Sequence, residues 1–308
     1  MPPKKTAPAT KTVVKPYVPP ADTTIYVKAI FSPGDVKHLD YDKCHIRFNK
    51  TDSIISRLCT HYSITMHVEY KRTDGYTILW HFDKIIPGAG FDRQSPFRNA
   101  IEKMMEGVEV EVMIDTAGAY VQTDNWFVTK NQLTHKIDSM KSVFKNDTTA
   151  QKYIKKLYAI VNTKDIIEPL VVEQATLYFS VYGKYINQKQ GAHTSCGMVD
   201  IFGGDPFEAY GQITIDTLNR KAKTMSLSWH QGVDKKEAHD IVKKALNLQA
   251  RINNRPLPTD ADIPQVDVYE DYKLSFNFRT TWFTHITYSK VTTNGKAGEH
   301  DTIDMVLH

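Results

Sequence analysis

Apolar and polar residues alternate over much of this chain, with the period of two that is typical of β-strands with one buried face. Alternating runs of this kind occur within residues 66–82, 213–229 and 274–307, and the alternation is strict at Met225, Leu227 and Trp229. In the first of these segments, residues 73–75 provide a turn between two alternating runs. A three-residue loop there predicts a hairpin whose apolar residues face each other in three pairs: Tyr70 with Ile78, Val68 with Trp80, and Met66 with Phe82.

Helical spacing of apolar residues appears between the strand segments. It predicts a short helix over 52–59 and longer helices over 148–161 and 165–179. Two more helices are predicted behind the capping boxes that begin at Thr129 and Asp234. The predicted hairpins favour antiparallel pairing, because two antiparallel strands need only a short connection.

The predicted fold class is therefore α+β and antiparallel β-rich, with a curved sheet or two packed sheets and helices mainly on one side. Residues 1–22 are rich in Pro, Lys and Ala, and they predict a disordered basic arm with no core of its own. The rest divides into an N-terminal α+β half, 23–165, and a C-terminal α+β half, 166–308. The alternative is one continuous domain over both halves.

The net charge of +4 comes from the arm. Residues 1–20 contain four lysines and no acidic residue: Lys4, Lys5, Lys11 and Lys15. Without these four, the 39 basic residues become 35, which equals the number of acidic residues. The arm is thus the candidate contact with nucleic acid or a partner, since phosphate binding scales with the charges neutralised. The alternative is a solubilising leader.

Two cysteines and two histidines, Cys44, His45, Cys59 and His61, are the residue types of a zinc site. Their spacing matches no zinc finger that we can assign, and adjacent residues of a strand point to opposite faces. The alternative is that Cys59 ends a short helix as a small buried residue. With Cys196 the chain has three cysteines, which argues against a disulfide framework and leaves one bridge open.

Aromatic residues and histidines lie together at the ends of two predicted strands, as Trp229 beside His230 and Trp282 near His285. Such groups recur in ligand pockets, so these four residues are candidate binding residues. The alternative is that the tryptophans anchor the core and the histidines lie at its rim, because large aromatic side chains dominate core burial.

A Gly-rich stretch, residues 191–211, predicts a long loop, and Asp205 within it is a further candidate contact with a partner. The sequence contains no GxxxxGK[ST] loop, no GxGxxG after a strand, and no HExxH, GxSxG or CxxC motif. The absence of these motifs makes membership of the common enzyme classes less expected. The sequence also predicts no cofactor.

Three stretches carry a resemblance to a known class: EVMIDTAGAYVQTDNWF, DPFEAYGQITIDTLNRKAKTMSLSW, and YKLSFNFRTTWFTHITYSK followed by the C-terminal DTIDMVLH. In the order of its elements the chain resembles uncharacterised β-rich bacterial proteins, which are usually exported or lipid-anchored. The resemblance covers about two-thirds of the chain. The chain departs from that class in lacking a leader peptide or lipobox cysteine, and no functional residues carry over.

The leading hypothesis is a non-enzymatic binding or structural subunit that contacts a partner through a sheet face or edge. The first alternative is an assembly or shell protein of a particle or virion, whose basic arm contacts neighbours or nucleic acid. The second is an enzyme or toxin with a site formed only in three dimensions. No apolar segment resembles a signal or a membrane span, which predicts a cytoplasmic protein. Export after removal of a leader, or a virion, is the alternative.

Overall fold

The computed structural model describes residues 24–49, 51, 53–88, 96–164, 168, 172–198, 207–252, 255–294 and 297–308. Within these residues, one antiparallel sheet contains eleven strands and a second sheet contains two. The strands are β1 Thr24–Tyr26, β2 Val36–Phe48, β3 Ile54–Lys71, β4 Gly75–Pro87, β5 Glu109–Asp115, β6 Tyr120–Thr123, β7 Tyr185–Asn187, β8 Ala192–Met198, β9 Phe207–Asn219, β10 Thr224–Val233, β11 Val266–Asn277, β12 Trp282–Asn294 and β13 Ala297–Leu307. The short strands β1 and β7 form the small sheet.

The large sheet is built from two meanders that meet in its middle. Its strand order is β6-β5-β4-β3-β2-β13-β12-β11-β10-β9-β8. The meeting point is the antiparallel pair β2 and β13, which runs from Leu39 opposite Leu307 to Phe48 opposite Gly298. Strands from both predicted halves of the chain therefore belong to one sheet.

Helices cover one face of this sheet, called here the helix-facing side. They are α1 Pro96–Glu102, α2 Trp126–Val143, α3 Thr148–Val161, α4 Glu173–Tyr178 and α5 Lys235–Ile252. Leu133 and Ile137 of α2 share one core with Val110 and Val112 of β5. Val242 of α5 belongs to a second, smaller core. The predicted α+β, antiparallel β-rich class is confirmed.

The alternation that predicted the strands sorts their side chains between the two faces. On β11 the even-numbered positions from Val266 to Phe276 are buried on the helix-facing side. Their odd-numbered neighbours, such as Asp271 and Lys273, lie on the opposite side, called here the outer face. Each strand of this kind is half buried because the sheet has helices on only one side.

Aromatic residues from the segment between α4 and β7 fill the centre of the large core. Tyr178 donates a hydrogen bond to the Phe283 carbonyl oxygen at 2.6 Å, and Tyr182 donates one to the Thr281 carbonyl oxygen at 2.7 Å. Burial raises the pKa of both phenols well above the usual value. The two hydroxyls thus fix this segment to the sheet without leaving a buried donor unpaired.

The predicted helix over 52–59 is wrong, because Ile54–Lys71 forms the single long strand β3. The apolar residues at its start favour a helix only locally. Pairing with β2 on one side and β4 on the other determines the conformation.

The predicted register of the first hairpin is wrong by two residues. Val68 lies opposite Ile78, Met66 opposite Trp80, and Ile64 opposite Phe82. Two shifts of one residue add up to this difference: the turn places Tyr70 opposite Thr77, and a β-bulge between Val68 and Tyr70 moves the register by one more residue. A shift of two residues keeps the side chains on their faces, so Met66, Val68, Ile78, Trp80 and Phe82 are buried as the alternation predicted. Tyr70, on the other side of the bulge, is exposed.

Candidate functional site

The structure divides the four candidate binding residues between the two sides of the sheet. Trp229 and Trp282 are buried on the helix-facing side, where Trp282 stacks on Phe31 with ring centroids 4.0 Å apart. His230 and His285 lie exposed on the outer face. The four residues therefore do not form one pocket. Their role in binding stays a prediction, and Asp205 lies outside the described residues.

A disulfide joins two members of the predicted zinc set, Cys44 and Cys59, which are direct partners on β2 and β3. Their sulfur atoms are bonded to each other and are not available as thiolate ligands. His45 lies on the helix-facing side, while His61 lies on the outer face with the disulfide. Over the residues that the structure describes, no group of three or more His, Cys, Asp or Glu side chains is arranged to hold a metal ion.

The outer face carries histidine–aspartate pairs on several strands. The His230 ring nitrogen Nδ1 lies 2.7 Å from Asp271, and His285 Nε2 lies 2.6 Å from Asp304. His61 Nδ1 lies 3.0 Å from Asp42. The three aspartates line an open depression of about 430 Å³ on β2, β13, β12 and β11. This face is hydrophilic and solvent-exposed.

On the helix-facing side, the register places polar residues in a row across five strands. Each member lies directly opposite the next: Gln231 on β10, Glu270 on β11, Lys290 on β12, Asp301 on β13 and His45 on β2. These five residues are called here the polar line. It crosses the helix-facing side between apolar residues of the two cores, where buried polar groups need hydrogen-bond partners or solvent.

A row of aromatic residues runs beside the polar line, two positions further along each strand. Trp229, Tyr272 and Tyr288, called here the aromatic line, are direct partners on β10, β11 and β12. Trp229 and Tyr272 stack with ring centroids 4.5 Å apart, and Tyr272 and Tyr288 lie 4.8 Å apart. Burial is the main cause that raises the pKa of Tyr288, and Glu270 adds to it. The Tyr288 hydroxyl is therefore a neutral donor and acceptor at ordinary pH.

The polar line separates the two cores. On β11, Val266 and Val268 pack in the small core with α5, whereas Tyr272 and Leu274 belong to the large core. Glu270 lies between them, so the polar line occupies the boundary between the two cores. A boundary of this kind is where a ligand can reach the sheet.

Hydrogen bonds and ion pairs neutralise most charges of the polar line. The Glu270 carboxylate accepts from Gln231 Nε2 at 2.5 Å and from the Tyr272 hydroxyl at 3.0 Å, and Lys290 Nζ is 3.8 Å away. At the other end, His45 Nδ1 lies 2.7 Å from Asp301. Glu270 is 8% exposed, whereas the side chains of Asp301 and His45 are about a third exposed. The line thus opens towards β2.

A second ion pair borders the open end. Lys43 of β2 donates to Glu173, the first residue of α4, at 2.5 Å. Burial raises the pKa of nearby Glu102, which the Lys43 ammonium partly offsets. Burial also raises the pKa of Tyr62 to about 12, with smaller contributions from Glu102 and Glu173. Tyr62 packs on Tyr41, with ring centroids 4.9 Å apart.

Two buried polar atoms beside this ion pair have no hydrogen-bond partner in the part of the chain that the structure describes: Tyr41 Oη and Gln174 Oε1. Burial raises the pKa of Tyr41 well above its usual value. The nearby Gln174 side chain lowers the pKa of Tyr41 and so offsets part of the effect of burial. Even so, Tyr41 Oη and Gln174 Oε1 form no hydrogen bond of acceptable geometry with each other. Buried polar atoms without partners are uncommon, and a ligand group or water is a usual partner.

Sequence reasoning did not identify the polar line, although β11 carried a signal for it. In Val266–Asn277 the alternating buried positions are apolar or aromatic except for Glu270. A carboxylate at a position where the alternation calls for an apolar residue indicates a functional or paired group. The other members, from strands that are distant in sequence, become visible only with the register.

Comparison with known proteins identifies no family for the chain. No protein-family model matches the sequence, and no match is found among curated proteins. Among solved structures, one similar chain is lipovitellin, in a structure concerned with its lipid–protein interactions. That match has a TM-score of 0.46 and 9% identity, and it covers 91% of this chain. The chain spans about a quarter of the lipovitellin chain, 25%.

A second similar structure is described as a putative exported protein with a YmcC-like fold, from Bacteroides fragilis NCTC 9343. The match has a TM-score of 0.24 and 8% identity, and it covers 89% of this chain and 97% of that one. No helix among the described residues is long and apolar enough to cross a membrane.

Proposed function

We propose that this protein is a non-enzymatic binding protein whose ligand lies on the helix-facing side of the sheet, over the polar line and the aromatic line. The observation that carries the proposal is the unbroken register of five polar side chains at the boundary between two cores. Paired charges favour binding over catalysis, because the carboxylates and ammonium groups are already neutralised by one another.

The ligand that fits this surface is uncharged, rich in hydroxyl groups and built on rings. Tyr62 and Tyr288 are partly exposed and offer ring faces for the apolar side of such a molecule. Lys43 and Glu173, whose side chains are partly exposed, offer a donor and an acceptor at the same place for its hydroxyl groups. Linear oligosaccharides have both properties.

Saturation-transfer-difference NMR with oligosaccharides of glucose, xylose and mannose tests the proposal. We expect at least one of the three to receive magnetisation from the protein. We expect Glu173→Gln to weaken its binding by roughly tenfold, the value of one charge-assisted hydrogen bond. Asp304→Asn is the matched control, because it makes the same change of charge on the outer face.

Three outcomes contradict the proposal. One is that no oligosaccharide gives a signal, which rules out the ligand class. Another is that Glu173→Gln binds as well as the unchanged protein. The third is that only Asp304→Asn loses binding, which places the ligand in the depression on the outer face.

A further inference from the structure

The helical hairpin formed by α2 and α3 carries most of its charge with one sign. Residues 126–161 contain seven lysines, two aspartates and no arginine. The chain after residue 20 has equal numbers of basic and acidic residues, so this hairpin is a local concentration of positive charge on a neutral body. Such a concentration creates a field that attracts anionic surfaces.

Both aspartates of the hairpin are engaged within it. The Asp138 carboxylate accepts a hydrogen bond from the hydroxyl of Tyr158, which joins α2 to α3. Asp147 is the N-cap of α3 and accepts from the Ala150 backbone N–H at 2.9 Å. The lysines on the outward side, such as Lys152 and Lys156, are exposed.

Exposed apolar side chains lie among these lysines. Val143 and Phe127 are both 73% exposed, which is high for residues of this type. Tyr153 is exposed as well, and Lys156 Nζ lies 5.6 Å from its ring centroid. Exposed rings and aliphatic groups beside ammonium groups are typical of helices that lie at a membrane surface.

The opposite side of the hairpin packs on the protein. Leu133 and Ile137 of α2 and Ile154 of α3 are buried in the large core. Lys152 and Lys156 lie two residues before and after the buried Ile154, which places them on the opposite side of α3. They therefore project away from the body, where a flat partner can reach them.

We propose that the outward side of the α2–α3 hairpin docks on an anionic lipid bilayer. The positive charge complements the phosphate groups of anionic lipids, and the exposed side chains of Tyr153 and Val143 enter the interfacial layer. A bilayer fits better than nucleic acid for two reasons. The hairpin uses only lysine, whereas arginine favours bidentate phosphate recognition, and exposed aliphatic groups have no partner on a phosphate backbone.

Cosedimentation of the full chain with vesicles tests this proposal. We expect binding to vesicles of phosphatidylglycerol and phosphatidylcholine in equal parts, with loss of binding at high salt. Vesicles of phosphatidylcholine alone should bind far less. Replacing two exposed lysines, Lys152→Glu with Lys156→Glu, should lower partitioning roughly a hundredfold, given the contribution of each basic residue near the surface.

The matched control makes the same change of charge on α5, as Lys236→Glu with Lys244→Glu, and should retain most of the binding. Because the N-terminal lysines are present in all variants, a difference between the two pairs reports on the hairpin. Val143→Ser provides a second variant without a change of charge and should lower binding moderately.

Four results would overturn the proposal. The first two are equal binding to both kinds of vesicle and no binding to either. The third is a loss of binding in the α5 control that equals the loss in the hairpin variant. The fourth is tighter binding to duplex DNA than to anionic vesicles, with the same dependence on Lys152 and Lys156. The last result would assign the surface to nucleic acid.

Discussion

Breaking the disulfide between Cys44 and Cys59 should destabilise the protein by about 3 kcal/mol. The bond closes a segment with a sequence separation of 15 residues on neighbouring strands of the large sheet. Its main effect is to restrict the unfolded chain, and for a loop of this size the loss of chain entropy corresponds to about 3 kcal/mol. The folded sheet should change little, because β2 pairs with β3 along its whole length, from Val36 to Phe48.

The assay is equilibrium unfolding in urea, followed by tryptophan fluorescence, with and without reductant. We expect the free energy of unfolding to fall by that amount on reduction, and Cys44→Ser with Cys59→Ser to have the stability of the reduced protein. The serine variant is also the control, because reductant should not change its unfolding. A difference below about 0.5 kcal/mol between oxidised and reduced protein would refute the reasoning, because loop closure predicts a far larger effect.

Three further predictions concern the site, the buried phenols and the arm. Glu270→Leu should cost about 3 kcal/mol in urea unfolding, since Lys290 loses its carboxylate, whereas Asp271→Leu on the outer face should cost less than about 1 kcal/mol. The folded state holds Tyr62 protonated to about pH 12, above the usual 10.0, so stability should be complete below pH 10.0 and fall as the pH rises towards 12. Tyr62→Phe should show a shallower fall. Light scattering after size-exclusion chromatography tests the assembly alternative, and a monomer unaffected by deletion of residues 1–22 would contradict it.

The alternation of side chains was enough to predict the fold class, because a strand buried on one face needs apolar residues at every second position. It could not predict which strands are neighbours. The pair β2 and β13 joins residues more than 250 positions apart, as in His45 opposite Asp301, and only the complete sheet determines that pairing.

Predictions from local sequence patterns were wrong where strand pairing in the sheet determines the conformation. Ile54 and Ile55 belong to a stretch whose apolar spacing predicts a helix. Pairing with β2 and β4 makes the same stretch part of strand β3. The cysteines show the same limit. Cys44 and Cys59 were candidate metal ligands as long as a helix was expected over 52–59. The structure places them directly opposite each other on β2 and β3, where they form a disulfide.

The candidate site depends on register even more strongly. Sequence reasoning selected Trp229, a member of the aromatic line, but grouped it with His230, which the alternation places on the other face. Glu270 could have been recognised as a carboxylate at a buried position. Its partners Lys290 and Gln231 could not, because a shift of one residue in either pairing would remove them from the line.

Fluorine NMR of the protein labelled with 5-fluorotryptophan tests the proposed ligand site most directly. The chain has four tryptophans, and Trp229→Phe and Trp282→Phe assign the two signals that matter. Addition of the oligosaccharide that binds best should shift the Trp229 resonance, since its ring stacks on Tyr272 in the aromatic line, and leave Trp282, stacked on Phe31, in place. Saturating oligosaccharide that leaves the Trp229 resonance unmoved would contradict a ligand site on the helix-facing side.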